Sequence, residues 1–336
     1  MKFSTIASAF VAASSVLAAP LAKRDDEPST NKTILLTNDD GWAATNIRAT
    51  YTALKNAGYE VIMVAPVSQR SGFGGQFAVP TSETLETNGE FSYPPAGSPS
   101  WGHEDEDQSI WYFNGTPASC VAFGLNYVIP QYFDNKTVDL VVAGPNEGLN
   151  LSPGMYTLSG TIGATYASVL RGYPAIAFSG SNTNNSFYKD DEDRLDDETF
   201  TPVIYGKKVV ELVDRLFTDS ESRPRVLPKT TGLNVNLPKV GDEDESCLDP
   251  EWQFARLSGE DSPASNLKYA DGKVKYADGF FEAPTECVFG DCDLPSEAWV
   301  IKHQKCKTPI SVFSIDYDAS YKQAKNVQNY LGELFA

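Results

Sequence analysis

The stretch Thr33-Ile34-Leu35-Leu36-Thr37, followed at once by Asn38-Asp39-Asp40-Gly41, decides how the chain is read. An uncharged apolar run that stops at two carboxylates and a glycine is a buried strand ending in a polar turn. The pattern recurs outward from it. Residues 60–66 (EVIMVAP), 138–143 (VDLVVA), 175–179 (AIAFS) and 232–237 are further apolar runs, the third strand ending in a Gly/Asn-rich turn. Residues 44–57, stopped by Gly58, and residues 160–170 and 202–217 read as helices between them. Strands that are apolar throughout, alternating with helices, predict an α/β doubly wound, mostly parallel, Rossmann-like sheet with both faces covered.

The flanking segments differ in character. Met1 and Lys2 precede an apolar, Ala/Ser-rich stretch too short to span a bilayer, and Lys23-Arg24 offers a dibasic processing site. Residues 1–24 therefore read as a signal peptide with a short pro-segment, and 25–239 as the α/β core. Residues 240–309 form an acidic, Cys-bearing, β-rich extension, and 310–336 a closing strand (310–315) and helix (319–334). Residues 80–107, rich in Pro, Ser and Glu, form a long excursion.

Secretion predicts glycans and disulfides. Acceptor triplets begin at Asn31, Asn114, Asn135, Asn150 and Asn184. The one at Asn150 is expected to stay empty because it falls within the candidate site. The expected pairs are Cys287–Cys292 and Cys247–Cys306, with Cys120 a free core thiol.

The chain has 336 residues, 45 acidic against 27 basic, and a formal charge of −18. Phosphate backbones and anionic membranes would be repelled, so neither a nucleic-acid duplex nor a membrane is an expected partner. Only 2 His are present, which leaves little room for His-rich metal centres or Ser-His-Asp triads. Neither His103 nor His303 lies in an Arg-His-Gly motif, and no Walker loop occurs.

In open α/β sheets, ligands bind beyond the carboxyl ends of the strands. Polar clusters stand at those ends: Asn38, Asp39, Asp40 and Gly41; Ser68, Arg70, Ser71 and Gly72; Gly144, Asn146, Gly148 and Asn150. Ser159-Gly160-Thr161 opens a helix, where hydroxyls and free N–H groups seat a phosphate. Taken singly, each cluster is an ordinary turn or helix cap; their equivalent placement points to one site. Two carboxylates with Ser and Asn oxygens are hard donors that suit Mg²⁺ or Mn²⁺, and also Ca²⁺, rather than zinc. A divalent ion beside a phosphate seat indicates phosphoryl chemistry.

Together these segments resemble the SurE family of metal-dependent phosphatases and nucleotidases. The resemblance rests on Ile34 to Gly41, Val64-Ala65-Pro66 with Arg70-Ser71-Gly72, Gly115-Thr116-Pro117 with Cys120-Val121, Gly144 to Asn150, and Ser159-Gly160-Thr161 with Gly163-Ala164. It covers residues 33–179, and departs from the family at Leu158 and Pro145. It implies one divalent cation on Asp39, Asp40, Ser71 and Asn146, and a catalytic Asn38 beside them. It places phosphate on Ser159, Gly160 and Thr161, and on Asn150, the second loop Asn. It also implies hydrolysis of phosphomonoesters such as nucleoside monophosphates, by a metal-activated water or by Asp39 or Asp40. A homodimer with exchanged C-terminal elements is the implied assembly. The competing expectation is a non-catalytic secreted binder of phosphate-containing ligands at the same metal site.

Overall fold

The computed structural model describes residues 32–218, 223, 225–263, 266–277, 285–287, 290–316 and 318–331. The signal peptide, the dibasic site and Asn31 lie outside the described residues.

The strands are β1 (Thr33–Thr37), β2 (Glu60–Pro66), β3 (Trp101–His103), β4 (Ile110–Phe113), β5 (Leu140–Glu147), β6 (Ala175–Gly180), β7 (Thr231–Leu237), β8 (Glu251–Phe254), β9 (Asn266–Ala270), β10 (Lys273–Ala277) and β11 (Lys307–Ser314). Among the described residues one sheet holds nine of them, in the spatial order β3-β4-β2-β1-β5-β6-β7-β11-β8. From β4 to β7 every neighbour is parallel; β3 and β11 run antiparallel to β4 and β7. The order reverses between β1 and β5, which makes their carboxyl ends the switch point where such sheets bind ligands.

Side-chain alternation explains why the runs lack polar residues. Ile34 and Leu36 of β1, Met63 of β2 and Val142 of β5 pack on one face, with α1 (Thr45–Asn56) and, later in the chain, Tyr205 and Val209. Leu35, Ile62, Val64 and Val141 pack on the other, with Cys120 and Val121 of α2 (Pro117–Phe123). Both faces are thus buried.

The third strand does not stop at Ala143. It pairs with β6 again at Asn146↔Ser179 and Glu147↔Gly180, after a register irregularity at Gly144-Pro145. Asn146 therefore sits on a strand rather than in a turn. The excursion at residues 80–107 is pinned to the core instead of projecting from it. Trp42 stacks on Tyr93 at 4.8 Å, and Arg48 pairs with Glu104 at 2.5 Å while lying 4.1 Å over the Tyr188 ring.

The helices that follow are α3 (Ile129–Tyr132), α4 (Ser152–Leu158), α5 (Gly160–Leu170), α6 (Thr201–Thr218), α7 (Glu297–His303) and α8 (Tyr321–Tyr330). Residues 240–309 add β8 to the main sheet beside β11 and also carry the separate hairpin β9–β10. Cys247 is bonded to Cys306 and Cys287 to Cys292, and Cys120 is a buried free thiol. Among the described residues no helix is long and apolar enough to cross a membrane.

Candidate functional site

Asp39 and Asp40 follow β1 directly and are buried beneath α5 and the end of β5. Asp39 Oδ1 accepts from the Thr161 hydroxyl at 2.5 Å, and the same hydroxyl lies 3.3 Å from Asn146 Oδ1. The backbone N–H groups of Gly160 and Thr161, the first two residues of α5, also donate to the Asp39 carboxylate. A carboxylate at a helix N-terminus is held by those free donors and by the helix dipole. Residue 160 has to be glycine for this contact, since a Cβ there would lie 2.8 Å from the Asp39 Cβ and 2.9 Å from its Oδ2.

Asp40 is held from two other segments. Its Oδ2 accepts from the Glu147 N–H at 3.0 Å, and its Oδ1 lies 3.5 Å from Gln69 Nε2. The Gln69 side chain accepts in turn from the Ser71 N–H at 2.5 Å. Arg70 N–H donates to the Asp39 carbonyl at 2.6 Å, which lays the 68–72 loop along the acidic turn. Two hydrogen-bonded groups thus meet at the adjacent acids: Asp39 with Thr161 and Asn146, and Asp40 with Gln69, Ser71 and the Glu147 backbone. Ser71 enters the second through its backbone, and the residue itself is exposed.

The remaining predicted residues are engaged differently. Asn38 donates to the Gly41 carbonyl at 2.9 Å and accepts from the Gly41 N–H at 3.3 Å, so its amide braces the acidic turn. Ser159 caps α5, its hydroxyl accepting from Ile162 N–H at 3.2 Å. The first N–H donors of α5 are not open to an outside anion, because Asp39 occupies them. Asn150 is 4% exposed and donates to the Ser179 hydroxyl at 2.8 Å, while its N–H donates to Asn236 at 2.9 Å. In the folded chain the Asn150 amide is therefore not presented at the surface. Asn135 and Asn184 are exposed, and Asn114 is half-buried with its Oδ1 accepting from Arg70 at 2.9 Å.

Two acids absent from the predicted set stand beside the pair. Burial pushes the Asp39 carboxyl above its ordinary range, against the pull of its hydrogen bonds to Thr161 and Gly160. Burial pushes Asp40 further, and the charges of Asp39, Glu147 and Glu90 add to that push. Glu147 itself is pushed up to about 8 by burial and by Glu90, Asp39 and Asp191. Among the described residues, none of the ion pairs involves Asp39, Asp40, Glu90 or Glu147. Buried like charges without a cationic partner are costly, and a hard cation is the natural counter-charge for carboxylate, amide and hydroxyl oxygens. The donors present therefore fit a divalent ion. Glu147 was legible in the Asn146-Glu147-Gly148 run; Glu90 lies in the irregular 80–107 segment and carries no local signal.

The sequence profile of the family described as "Survival protein SurE" matches residues 34–260 of the chain. The chain belongs to the SurE family. An acid phosphatase from Yarrowia lipolytica is 44% identical over 342 residues, covering 98% of this chain and 94% of that one. A 5′-nucleotidase SurE from Caldanaerobacter subterraneus is 31% identical over 205 residues, 61% of this chain and 65% of the relative. The solved SurE protein of Aquifex aeolicus superposes with a TM-score of 0.60 at 24% identity, over 89% of this chain and 99% of that one, and shares the fold. SurE proteins form a metal-dependent phosphatase family, in keeping with the buried carboxylates at the switch point, for which the described residues show no ion pair.

Proposed function

We propose that the chain is a secreted, metal-dependent phosphomonoester hydrolase of the acid phosphatase and 5′-nucleotidase type. Its substrates are small phosphomonoesters, nucleoside monophosphates among them. The observation that carries this reading is the meeting of Asp39, Asp40, Asn146 and the Ser71 loop at the switch point through two adjoining hydrogen-bonded groups, in a chain whose relatives are named acid phosphatase and 5′-nucleotidase. Asp39, Asp40, the Asn146 carbonyl and Ser71 would hold one Mg²⁺ or Mn²⁺. When bound, such an ion neutralises phosphate oxygens and polarises phosphorus or a water. The chain supplies the preorganisation. Thr161 aligns Asp39 with Asn146, the amides at the start of α5 fix the Asp39 carboxylate, and Asn38 keeps the acidic turn in shape.

Release of p-nitrophenol from p-nitrophenyl phosphate, and of phosphate from a nucleoside monophosphate, tests the proposal. Turnover that EDTA abolishes and Mg²⁺ or Mn²⁺ restores is expected. Ligand binding without release would make the protein a binder, and EDTA-resistant turnover would remove the ion from the account.

Secretion is supported by the two disulfides, which form in oxidising compartments. It predicts a mature chain in the medium that lacks residues 1–24. A homodimer is supported by α8, which buries none of its residues and leaves Tyr321 and Tyr330 82% exposed, a helix in want of a partner surface.

A further inference from the structure

The 80–107 excursion meets the candidate site in a tight turn. Gly89 N–H donates to the Pro94 carbonyl at 2.8 Å, and Phe91 and Ser92 between them take left-handed backbone, with φ of 56° and 60°. Residues other than glycine hold that conformation where their surroundings impose it. Contacts on two sides impose it here. Trp42, two residues after Asp40, donates its indole N–H to the Tyr93 carbonyl at 3.0 Å and stacks on the Tyr93 ring, while Phe91 stacks on Phe187 at 5.3 Å. On the other side, Glu90 N–H donates to the Val67 carbonyl at 3.0 Å. A Cβ on Gly89 would lie 3.0 Å from that same oxygen, so the turn sits tightly against the end of β2. The turn also delivers a side chain: Glu90 Oε2 accepts from the Gln69 N–H at 3.0 Å. Glu90 thereby grips residues 67 and 69, on both sides of Ser68.

We propose that Glu90 is a positioning residue: it holds the 68–72 loop on the path that presents Ser71 beside Asp40, and so sets the affinity of the site for its ion. The inference rests on the metal-dependent function proposed above. Gln69 is the link, since its side chain accepts from the Ser71 N–H and reaches Asp40 Oδ1 while its own N–H is held by Glu90. Residues 68–70 are half-buried and residues 71–73 exposed. Packing does little to fix such a stretch, and its hydrogen bonds decide its path. A carboxylate accepting from a backbone N–H makes a charge-assisted bond, stronger than one between neutral groups. Glu90 acts through that bond and takes no part in coordination or in the chemistry.

Two variants of the full mature chain separate the bond from the charge. Glu90→Asp keeps the charge and loses the reach; Glu90→Gln keeps the reach and an acceptor oxygen and loses the charge. Two quantities are measured on each and on the wild type: amide hydrogen exchange of residues 67–72 in metal-free protein, and the Kd for Mn²⁺ by electron paramagnetic resonance. Glu90→Asp should speed exchange at residues 69–71 and raise the Kd, each roughly tenfold, with the circular dichroism unchanged. Glu90→Gln should stay within about threefold of the wild type in both. The reverse order, with Glu90→Gln the weaker binder, makes Glu90 a charge or a ligand for the ion and overturns the proposal. So does a loop in Glu90→Asp that exchanges as in the wild type, or one that loosens without any change in Kd. A wild type that binds no Mn²⁺ refutes the metal-dependent function itself; the exchange rates, which need no metal, tell that failure apart from failure of the hold on the loop.

Discussion

Two buried carboxylate sites in this molecule differ in what they need. At the switch point, Asp39 and Asp40 face Glu147 and Glu90, and each acid raises the cost of charging the next. In the C-terminal part, Glu297 of α7 is also fully buried, but alone. Asn234 donates to both of its oxygens at 2.9 and 3.1 Å, and Ser311 donates to Oε1. Burial pushes Glu297 up to about 8, against those hydrogen bonds and one from Ser152 N–H. The lone acid is satisfied by neutral donors and can remain protonated. The cluster gathers four acids with no ion pair among the described residues, and in the function proposed above a cation is what offsets them.

The largest expected effect breaks the cluster. Asp39→Asn removes a charge from the ion's donor set and should lower kcat for p-nitrophenyl phosphate on the order of a thousandfold, with the fold intact by circular dichroism. Near-normal turnover would contradict the site. Next comes the response to metal. Saturating Mg²⁺ or Mn²⁺ at a hundred times its Kd should stabilise the wild type by about 2.7 kcal/mol, a Tm rise of several degrees. Asp40→Asn should lose most of that rise. Without metal it should be no less stable than the wild type, because one repelling charge is gone. A metal-free variant several degrees less stable would show that the hydrogen bonds from Glu147 N–H and Gln69 outweigh the repulsion at Asp40.

The pH dependence sharpens the contrast. Unfolded, Glu297 titrates near its ordinary 4.5; folded, near 8. The native chain therefore holds this proton more tightly than the unfolded chain. Its contribution to stability is complete below about pH 4.5 and is lost as pH rises towards 8, at up to about 1.4 kcal/mol per pH unit. Asp39, Asp40 and Glu147 act in the same direction, so the contribution of Glu297 is read as the difference between the wild-type and Glu297→Gln profiles measured in the same buffer. Glu297→Gln should flatten the profile between pH 5 and 8, and an unchanged slope would remove Glu297 from this role. The smallest effect on the core concerns the C-terminal helix. Deleting residues 318–336 should halve the apparent mass by light scattering while leaving the Tm of the core almost unchanged; an unaltered mass would separate the dimer from α8.

The parts of the molecule that were legible in the sequence share one physical cause. β1, β2 and β6 have apolar side chains on both faces, so local composition alone marks them, and their ends follow within a residue. The acidic turn was legible because two adjacent Asp residues after a buried strand are costly unless used. What was not legible depends on pairing across the chain. Asn146 stands on a strand because β6 offers partners beyond the irregularity at Gly144-Pro145. Thr161 and the amides beside it hold Asp39 because the start of α5 packs directly on the acidic turn, a contact no local pattern announces. Glu90 and Glu297 reach their places through an irregular segment and through α7, with no periodicity to announce either. The excursion composition at residues 80–107 hid the Arg48–Glu104 pair, which only tertiary contact creates.

The central claim is that the oxygens around Asp39 and Asp40 bind one hard cation. Titration of metal-free protein with Mn²⁺, followed by electron paramagnetic resonance, measures it directly. One Mn²⁺ per chain for the wild type, displaced by excess Mg²⁺ and lost in both Asp39→Asn and Asp40→Asn, is the predicted result. Undiminished stoichiometric binding in those two variants, or none in the wild type, would contradict it.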